Sequence, residues 1–318
     1  MKKHENPLVS IIIPVYNQWH YTYACLLSIL ENTRDIPYEV IIADDMSTDD
    51  TQNIVDVVEN VVVIRDEVNR GFLRNCNNAA QSAKGQFIFF LNNDTNVQAD
   101  WLKYLLDLIQ SDASIGMVGS KLVYPDGRQQ EAGGIIWKDA SGWNYGRLDE
   151  PEKPEYNYVK EVDYISGAAI MIRTELWNQI GGFDDRYAPA YFEDSDLAFE
   201  VRKHGYKVLL QPKSVIVHFE GISHGTDTNS GIKKAIKLRI KKSSKEKWKK
   251  MSSLKNILIM LRMYFSRETA AITKKTILVI DHYVPHFDKD AGSRTVYQYL
   301  QLFVKMGMNV KFIGDNFF

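Results

Sequence analysis

FIFFLNNDTNV, residues 87–97, is an apolar run that stops abruptly at two amides and a carboxylate. Phe87 to Leu91 has the length and character of a buried strand. Asn92, Asn93 and Asp94 then stand at its tip. A carboxylate at the end of a buried element is costly unless a cation meets it. The segments on either side show what sort of cation belongs there.

Upstream, strand and helix signals alternate. LVSIIIPVY (8–16) is a β-branched run, and YTYACLLSILENT (21–33) has apolar residues at helical spacing. YEVIIAD (38–44) is a second buried strand. STDDTQNIVDVVEN (47–60) reads as a helix that Ser47 or Thr48 can cap, with acids in its first turn. VVVIRD (61–66) is a third strand. FLRNCNNAAQSAKG (72–85) reads as a helix ending at Gly85. QFIFFLNND is the fourth strand, and ADWLKYLLDLIQSD (99–112) is an amphipathic helix. Strands buried on both faces and separated by helices predict βαβ units, hence an α/β fold with a mostly parallel central sheet flanked by helices.

Residues 124 to 158 are crowded with Gly, Trp and Tyr and predict loops and short antiparallel strands. SGAAIMI (166–172) is a strand, TELWNQIGG and DSDLAFEVRKHG are helices, and KVLLQ and SVIVHF are two short strands closing the unit near residue 225. Residues 232–252, IKKAIKLRIKKSSKEKWKKMS, are intensely basic, with Glu246 the only acid. LKNILIMLRMYF follows with helical spacing. From residue 274 a strand–loop–helix–strand pattern restarts and stops with its second strand barely finished. One βαβ unit cannot bury its own faces, so the chain is expected to end inside a second domain. The division is 1–230, 231–273 (a basic helical linker) and 274–318.

Composition narrows the classes. Lys plus Arg number 39 and Asp plus Glu 40, for a net charge of -1, which argues against binding nucleic acid through overall charge. Cys25 and Cys76 are far apart and fit reduced, buried thiols in a cytoplasmic protein. The short apolar run near the start carries Pro14 and Asn17 and does not read as a signal peptide. No stretch reaches the roughly 18 apolar residues needed to span a bilayer.

Ligands of open α/β sheets bind beyond the carboxyl ends of the strands. Here those ends carry Pro14-Val15-Tyr16-Asn17, Asp44-Asp45 and Asn92-Asn93-Asp94. Turn chemistry explains any one of them; three facing one crevice are harder to dismiss. Neither GxGxxG nor GxxxxGK[ST] is present, so a nucleotide must be held by side chains and backbone at the tips. Asp44 or Asp45 can accept the imide N–H of a uracil or thymine ring. Asp94 can bind Mg2+ or Mn2+ carrying a diphosphate.

VSIIIPVYN, VIIADDMSTDDT, NRGFLRNCNNAAQSAKGQFIFFLNNDT, GGFDDRYAPAYFEDSDLAFEVRKHGYKV and VIVHFEGIS together resemble the inverting glycosyltransferases of family two, of the GT-A fold, over roughly residues 8 to 225. The resemblance implies transfer of one sugar from a UDP- or dTDP-sugar to an acceptor hydroxyl on a glycan, lipid-linked oligosaccharide or glycoprotein. It also implies site residues. Pro14, Tyr16 and Asn17 match positions around the base, Asp44 and Asp45 the pair reading base and ribose, and Arg70, Gly71 and Asn75 the segment beside the nucleotide. Asn92-Asn93-Asp94 matches the DxD-like triplet, with Asp94 facing the metal; Asn stands where many relatives have Asp. Asp194 of YFEDSDL matches the catalytic base, with Glu193 beside it; the same position also suits a helix cap. A helix start lowers the pKa of Asp194 and neighbouring carboxylates raise it. His218 in HFEGIS matches a metal or diphosphate contact, His224 less well. Gly167 and Trp177 resemble acceptor-side positions, though Trp177 equally suits core packing.

The membrane synthases' QxxRW-type motif is missing, so a single-addition enzyme is expected. AGSRTVYQYLQLFVKMGMNVKFI is similar to the opening of a GT-B domain. A scaffold that binds the donor without turnover, and a sugar nucleotidyltransferase, are the competing classes. The latter needs a glycine-rich, Arg-bearing loop that PVYNQWHYTYA lacks. The basic segment, interleaved with Ile236, Leu238, Ile240 and Trp248, suits an interdomain connector or peripheral contact with an anionic membrane at its inner face. A homo-oligomer remains open.

Overall fold

The computed structural model describes residues 1, 4–137, 141–189, 191–220, 243, 247, 276–281, 291–306 and 308–314. The basic segment apart from Ser243 and Lys247, the apolar run at 254–265 and His224 lie outside the described residues. Two compact units divide the chain, Met1–Lys247 and Trp248–Phe318.

In the first unit, β1 (Val9–Val15), β2 (Tyr38–Asp44), β3 (Val62–Arg65) and β4 (Phe87–Leu91) form a parallel block in the order β3-β2-β1-β4. β1 and β4 are buried at every position. That is why their sequences are continuous apolar runs rather than alternating ones. Helix α1 (Trp19–Asn32) follows β1. A 3-10 turn (Asp50–Asn53) and the single turn α2 (Ile54–Val57) follow β2. The long helix expected at 47–60 is thus cut to eight residues. Val55 and Val57 are exposed there, so no apolar face drives a longer helix. Its cap is Asp49, whose carboxylate accepts from the Thr51 N–H at 3.0 Å, rather than Ser47 or Thr48.

Helix α3 (Phe72–Ala80) also stops early. Gly85 is not its cap: a Cβ there would lie 2.6 Å from the Ser10 nitrogen, so the glycine permits close approach to β1. After β4 come β5 (Thr95–Val97) and α4 (Trp101–Ser111). Trp101 is fully buried, meets Phe89 edge-on at 5.0 Å and donates its indole N–H to Thr33 Oγ1 at 3.0 Å.

The other half of the sheet is mixed. It is built from β6 (Ile115–Val123), β7 (Gln129–Glu131), β10 (Lys160–Glu161), β11 (Ala169–Arg173) and β12 (Lys207–His218). The order continues β4-β11-β6-β12-β10, with β11 antiparallel to both neighbours, β12 parallel to β6, and β7 and β5 attached to β6 and β12. β6 has no counterpart in the sequence reading: Gly116 and Gly119 interrupt its apolar run. β12 is one strand rather than two. Pro212 falls where its register with β6 shifts, between Gln211 and Val215, and the strand continues past it. β8 (Gly134–Ile136) and β9 (Gly142–Asn144) make a separate hairpin. α5 (Thr174–Ile180) and α6 (Glu193–Lys203) precede β12. Cys25 and Cys76 are free and buried.

In the second unit β13 (Thr276–Asp281) pairs in parallel with β14 (Asn309–Gly314), with α7 (Ala291–Lys305) between them, as the repeated strand–helix–strand pattern predicts. Among the described residues no helix is long and apolar enough to cross a membrane.

Candidate active site

A cleft opens at the carboxyl ends of β1, β2 and β4. It is lined by Pro14, Tyr16, Asp45, Gly71, Asn75 and Asn92–Asp94, and Phe72 and His218 also face it. The three polar strand tips therefore do share one crevice.

Asp45 stands at the root of the cleft. Its carboxylate accepts from the Arg70 N–H (2.6 Å) and the Gly71 N–H (2.9 Å). Burial pushes its pKa up, against those two hydrogen bonds. Gly71 has φ 79, and a Cβ there would meet Pro189 at 2.9 Å, so glycine is required. Asn75 donates to the Ala43 carbonyl at 2.6 Å, and its buried Oδ1 has no partner, an acceptor left over at the wall of the cleft. Tyr16 is 42% exposed, offering a ring to stack on.

Three expected nucleotide residues are placed elsewhere. Asp44 is 1% exposed and bonded to Arg65 and to the Ser47 N–H, so only Asp45 of the acidic pair reaches the cleft. Asn17 adopts φ 56 and accepts from the Thr48 N–H at 2.7 Å, tying β1 to the loop after β2. The Arg70 side chain pairs with Asp66 at 2.9 Å. All three brace the loops that carry the cleft instead of lining it.

At the tip of β4, Asn93 turns inward and donates to Thr22 Oγ1 at 3.0 Å. Asp94 Oδ1 lies 3.3 Å from His218 Nε2. The Phe219 N–H donates to the Asp94 carbonyl at 3.0 Å, and His218 stands opposite Thr95 across the β12–β5 ladder. Backbone pairing thus brings together residues 124 positions apart. A carboxylate oxygen and an imidazole nitrogen at this spacing suit adjacent positions on one divalent ion, whose bonds are about 2.1 to 2.3 Å. Among the described residues no three His, Cys, Asp or Glu side chains form a metal cage. A cation here would take its remaining ligands from water and from a phosphorylated ligand, as Mg2+ usually does.

Asp194 begins α6 but does not line the cleft. Its carboxylate accepts from the Gly167 N–H (3.1 Å) and from the Ser195 N–H (2.6 Å). A Cβ added to Gly167 would lie 3.7 Å from the Phe72 ring and 3.9 Å from Asp194 Cβ, so Asp194 and the cleft-facing Phe72 both border the Gly167 turn. Burial wins over the helix start and raises the Asp194 pKa. Glu193 is pushed up to about 8, by burial first and the Asp194 charge second. Its Oε2 is buried with no hydrogen-bond partner. Trp177 is 4% exposed and packed against Phe90 (4.8 Å) and Phe183 (5.0 Å), so it belongs to the core.

β7 is one of the short antiparallel strands expected over 124–158, but sequence reasoning singled out none of its residues, and Gln129, Gln130 and Glu131 are all buried. Gln130 Oε1 sits 2.9 Å from His218 Nδ1. Glu131 accepts from the Ser166 N–H at 3.0 Å, so Glu131 and Asp194 grip consecutive amides of one turn. Burial pushes the Glu131 pKa up to about 8 and the charge of Asp194 adds to the effect. Nothing in the sequence around them marks these three consecutive polar residues as buried.

Residues 10–178, more than half the chain, match the family described as Glycosyl transferase family 2. The uncharacterized protein y4gI of Sinorhizobium fredii is 31% identical over 230 residues, 69% of this chain and 25% of that protein. The N-acetylglucosaminyl-diphospho-decaprenol L-rhamnosyltransferase of Mycobacterium tuberculosis is 26% identical over 234 residues, 64% of this chain and 74% of the relative. The chain therefore spans about a quarter of the first relative's length and three quarters of the second's. Among solved structures, GalNAc-T7, crystallised with UDP, GalNAc and Mn2+, superposes with a TM-score of 0.56 at 20% identity, over 68% of this chain and 44% of that one. That likeness is one of fold, the GT-A arrangement.

Proposed function

The chain belongs to glycosyl transferase family 2 and is a glycosyltransferase, and from that premise we propose that it is metal-dependent and inverting. It moves one sugar from a UDP- or dTDP-sugar to a hydroxyl of a glycan, lipid-linked oligosaccharide or glycoprotein. The observation that carries the reading is the 3.3 Å approach of Asp94 Oδ1 to His218 Nε2 inside a cleft floored by Asp45.

Tyr16 and Pro14 pack against the base, and Asp45 accepts its imide N–H with lone pairs that the Arg70 and Gly71 amides leave free. Asn75 Oδ1 accepts a donor from the nucleotide. Asp94 and His218 would hold the cation, and the imidazole in the set would favour Mn2+ over Mg2+. When bound, that ion neutralises charge on the departing diphosphate.

Asp194 is the general base. It takes the acceptor's hydroxyl proton as that oxygen bonds to the anomeric carbon from the face opposite the diphosphate. The bond from the anomeric carbon to the phosphate oxygen breaks, its electron pair leaves with the nucleoside diphosphate, and configuration inverts. Burial makes Asp194 a stronger base than an exposed aspartate, and the Gly167 and Ser195 amides fix its plane. Phe72 faces the donor cleft and borders the Gly167 turn that holds Asp194, so the acceptor hydroxyl enters beside that ring. Glu131 positions Asp194 through the shared turn.

The direct test is turnover of a UDP- and dTDP-sugar panel with Mn2+ and with chelator. Release of nucleoside diphosphate only with metal is expected; equal rates in chelator would remove metal from the reading. We also propose peripheral contact with an anionic membrane through the basic segment. Lys247 does not take part, because its ammonium lies within 3.0 Å of Asp184, Asp196 and Glu200. Changing Lys233, Lys234, Lys237, Arg239, Lys241 and Lys242 to Gln should abolish salt-sensitive sedimentation with anionic vesicles; unchanged sedimentation leaves the segment a connector.

A further inference from the structure

The imidazole of His218 is useful to a cation in only one of its two neutral forms. With hydrogen on Nδ1, the Nε2 lone pair faces Asp94. With hydrogen on Nε2, the ring donates to Asp94 and the pair satisfies itself. Which form exists depends on what the other nitrogen meets.

What it meets is Gln130 Oε1, at 2.9 Å from Nδ1. An amide can be turned end for end, so its orientation must be argued from its partners. The Gln130 Nε2 lies 3.2 Å from Glu220 Oε2. That oxygen already accepts from the Tyr124 hydroxyl at 2.7 Å and from Arg147 at 3.0 Å. A carboxylate held between a hydroxyl and a guanidinium is ionised and only accepts. The NH2 group of Gln130 must therefore face Glu220, which leaves its carbonyl facing His218. A carbonyl only accepts, so Nδ1 carries the hydrogen. Gln130 is 2% and His218 8% exposed, so water has little room to substitute for either partner.

We propose that Gln130 is a positioning residue: held by Glu220, it locks His218 in the Nδ1–H form, so that Nε2 offers its lone pair to a divalent cation at Asp94. The relay runs from Arg147 and Tyr124 through Glu220 and Gln130 to the ring, and it is assembled by β7 and the end of β12. It rests on the reading of His218 as a ligand, and its prediction about the free ring is independent of metal.

The test uses full-length protein labelled with 15N at histidine, free of metal, at a pH of about 8, where an ordinary imidazole is neutral. Long-range proton–nitrogen spectra report which ring nitrogen is protonated, and His218→Ala identifies the His218 signals by their loss. The wild type should show the Nδ1–H pattern alone. Gln130→Met keeps length and removes the acceptor. It should give a mixture of both forms and bind Mn2+ about 10- to 100-fold more weakly by calorimetry, the usual effect of losing a ligand's hydrogen-bond partner. Glu220→Gln should shift both readouts the same way by less. Should Gln130→Met not fold, Glu220→Gln alone decides. An Nε2–H pattern in the wild type, or unchanged tautomer and affinity in the folded variants, overturns the proposal. If His218→Ala leaves Mn2+ affinity intact, the ligand reading fails instead, a separate outcome from the tautomer result.

Discussion

The two halves of the sheet deliver residues to one cleft by different routes. In the parallel half, each of β1, β2 and β4 runs straight to the cleft and is followed at once by residues that line it, such as Tyr16, Asp45 and Asp94. In the mixed half, His218 arrives at the end of a twelve-residue strand whose register shifts on the way, and Gln130 and Glu131 arrive on a three-residue strand paired to β6. The first route makes function a local property of sequence: apolar run, then polar tip. The second makes it a property of pairing, because nothing near Gln130 in the chain indicates that it will touch His218. If this contrast is sound, variants in the parallel half should abolish a primary contact, and those in the mixed half should act by displacing one.

The largest effect is expected from Asp94→Ala. It removes the carboxylate proposed to meet the cation, a contact worth several kcal/mol of charge stabilisation, so turnover should fall about a thousandfold or more. Steady-state rates across a Mn2+ titration check this; near-normal turnover in chelator would break the comparison at its strongest point.

Asp194→Asn comes next. Shape is kept and the proton acceptor is lost, so kcat should drop by roughly 10² to 10³, within the usual range for a general base. Donor affinity, read by calorimetry with UDP, should stay near wild type, because Asp194 is not among the residues lining the donor cleft. A variant that loses UDP binding instead would place Asp194 in the donor half.

These contrasts mirror what was legible beforehand. β1, β2 and β4 were readable because burial on both faces leaves unbroken β-branched and aromatic runs. Their polar tips were readable because a carboxylate after such a run is anomalous. Within that half the errors concern direction: Asp44, Asn17 and Arg70 sit at the right loops and face away, and side-chain direction after a strand depends on one or two backbone angles. In the mixed half β6 was hidden by its glycines, β12 was divided at Pro212, and β7 was expected only as one of the short antiparallel strands over 124–158, with no sign that its side chains are buried. Buried Gln130 and Glu131 are satisfied by partners 35 to 90 residues away, and periodicity carries no information about those. Trp177 shows the converse: an aromatic at a suggestive position turned out to fill the core.

Glu131→Gln probes the mixed half through pH. The folded protein holds the Glu131 pKa near 8, above its unfolded value of about 4.3. Between these two values the folded state retains a proton that the unfolded chain has released, so this residue lowers stability as pH rises through that window and stops doing so above it. Gln keeps the acceptor for the Ser166 amide and cannot ionise. The variant should match the wild type near pH 4, exceed it in stability increasingly up to pH 8 by an amount on the order of a few kcal/mol, and run parallel to it above. Urea midpoints at a series of pH values measure this; a constant offset would show that Glu131 is not held protonated.

The smallest effect expected is that of Asn92→Asp, and it bears on which half sets the metal affinity. Asn92 Nδ2 lies 3.5 Å from His218 Nε2, at the edge of hydrogen-bond range, so the amide is close to the cation position without being tightly engaged. A carboxylate there would add one negative charge beside Asp94. In a half-solvated cleft that charge attracts a nearby cation by on the order of 1 kcal/mol, about a fivefold gain in Mn2+ affinity for the free enzyme. The same charge repels the diphosphate, so UDP should bind more weakly in chelator and about equally with Mn2+ present. The gain is modest because a second carboxylate does not change how His218 presents its lone pair. Calorimetric titration of Mn2+ with and without UDP separates the two terms. A gain of hundredfold or more would mean that the parallel half alone governs the cation, and that the pairing which brings His218 to Asp94 counts for little.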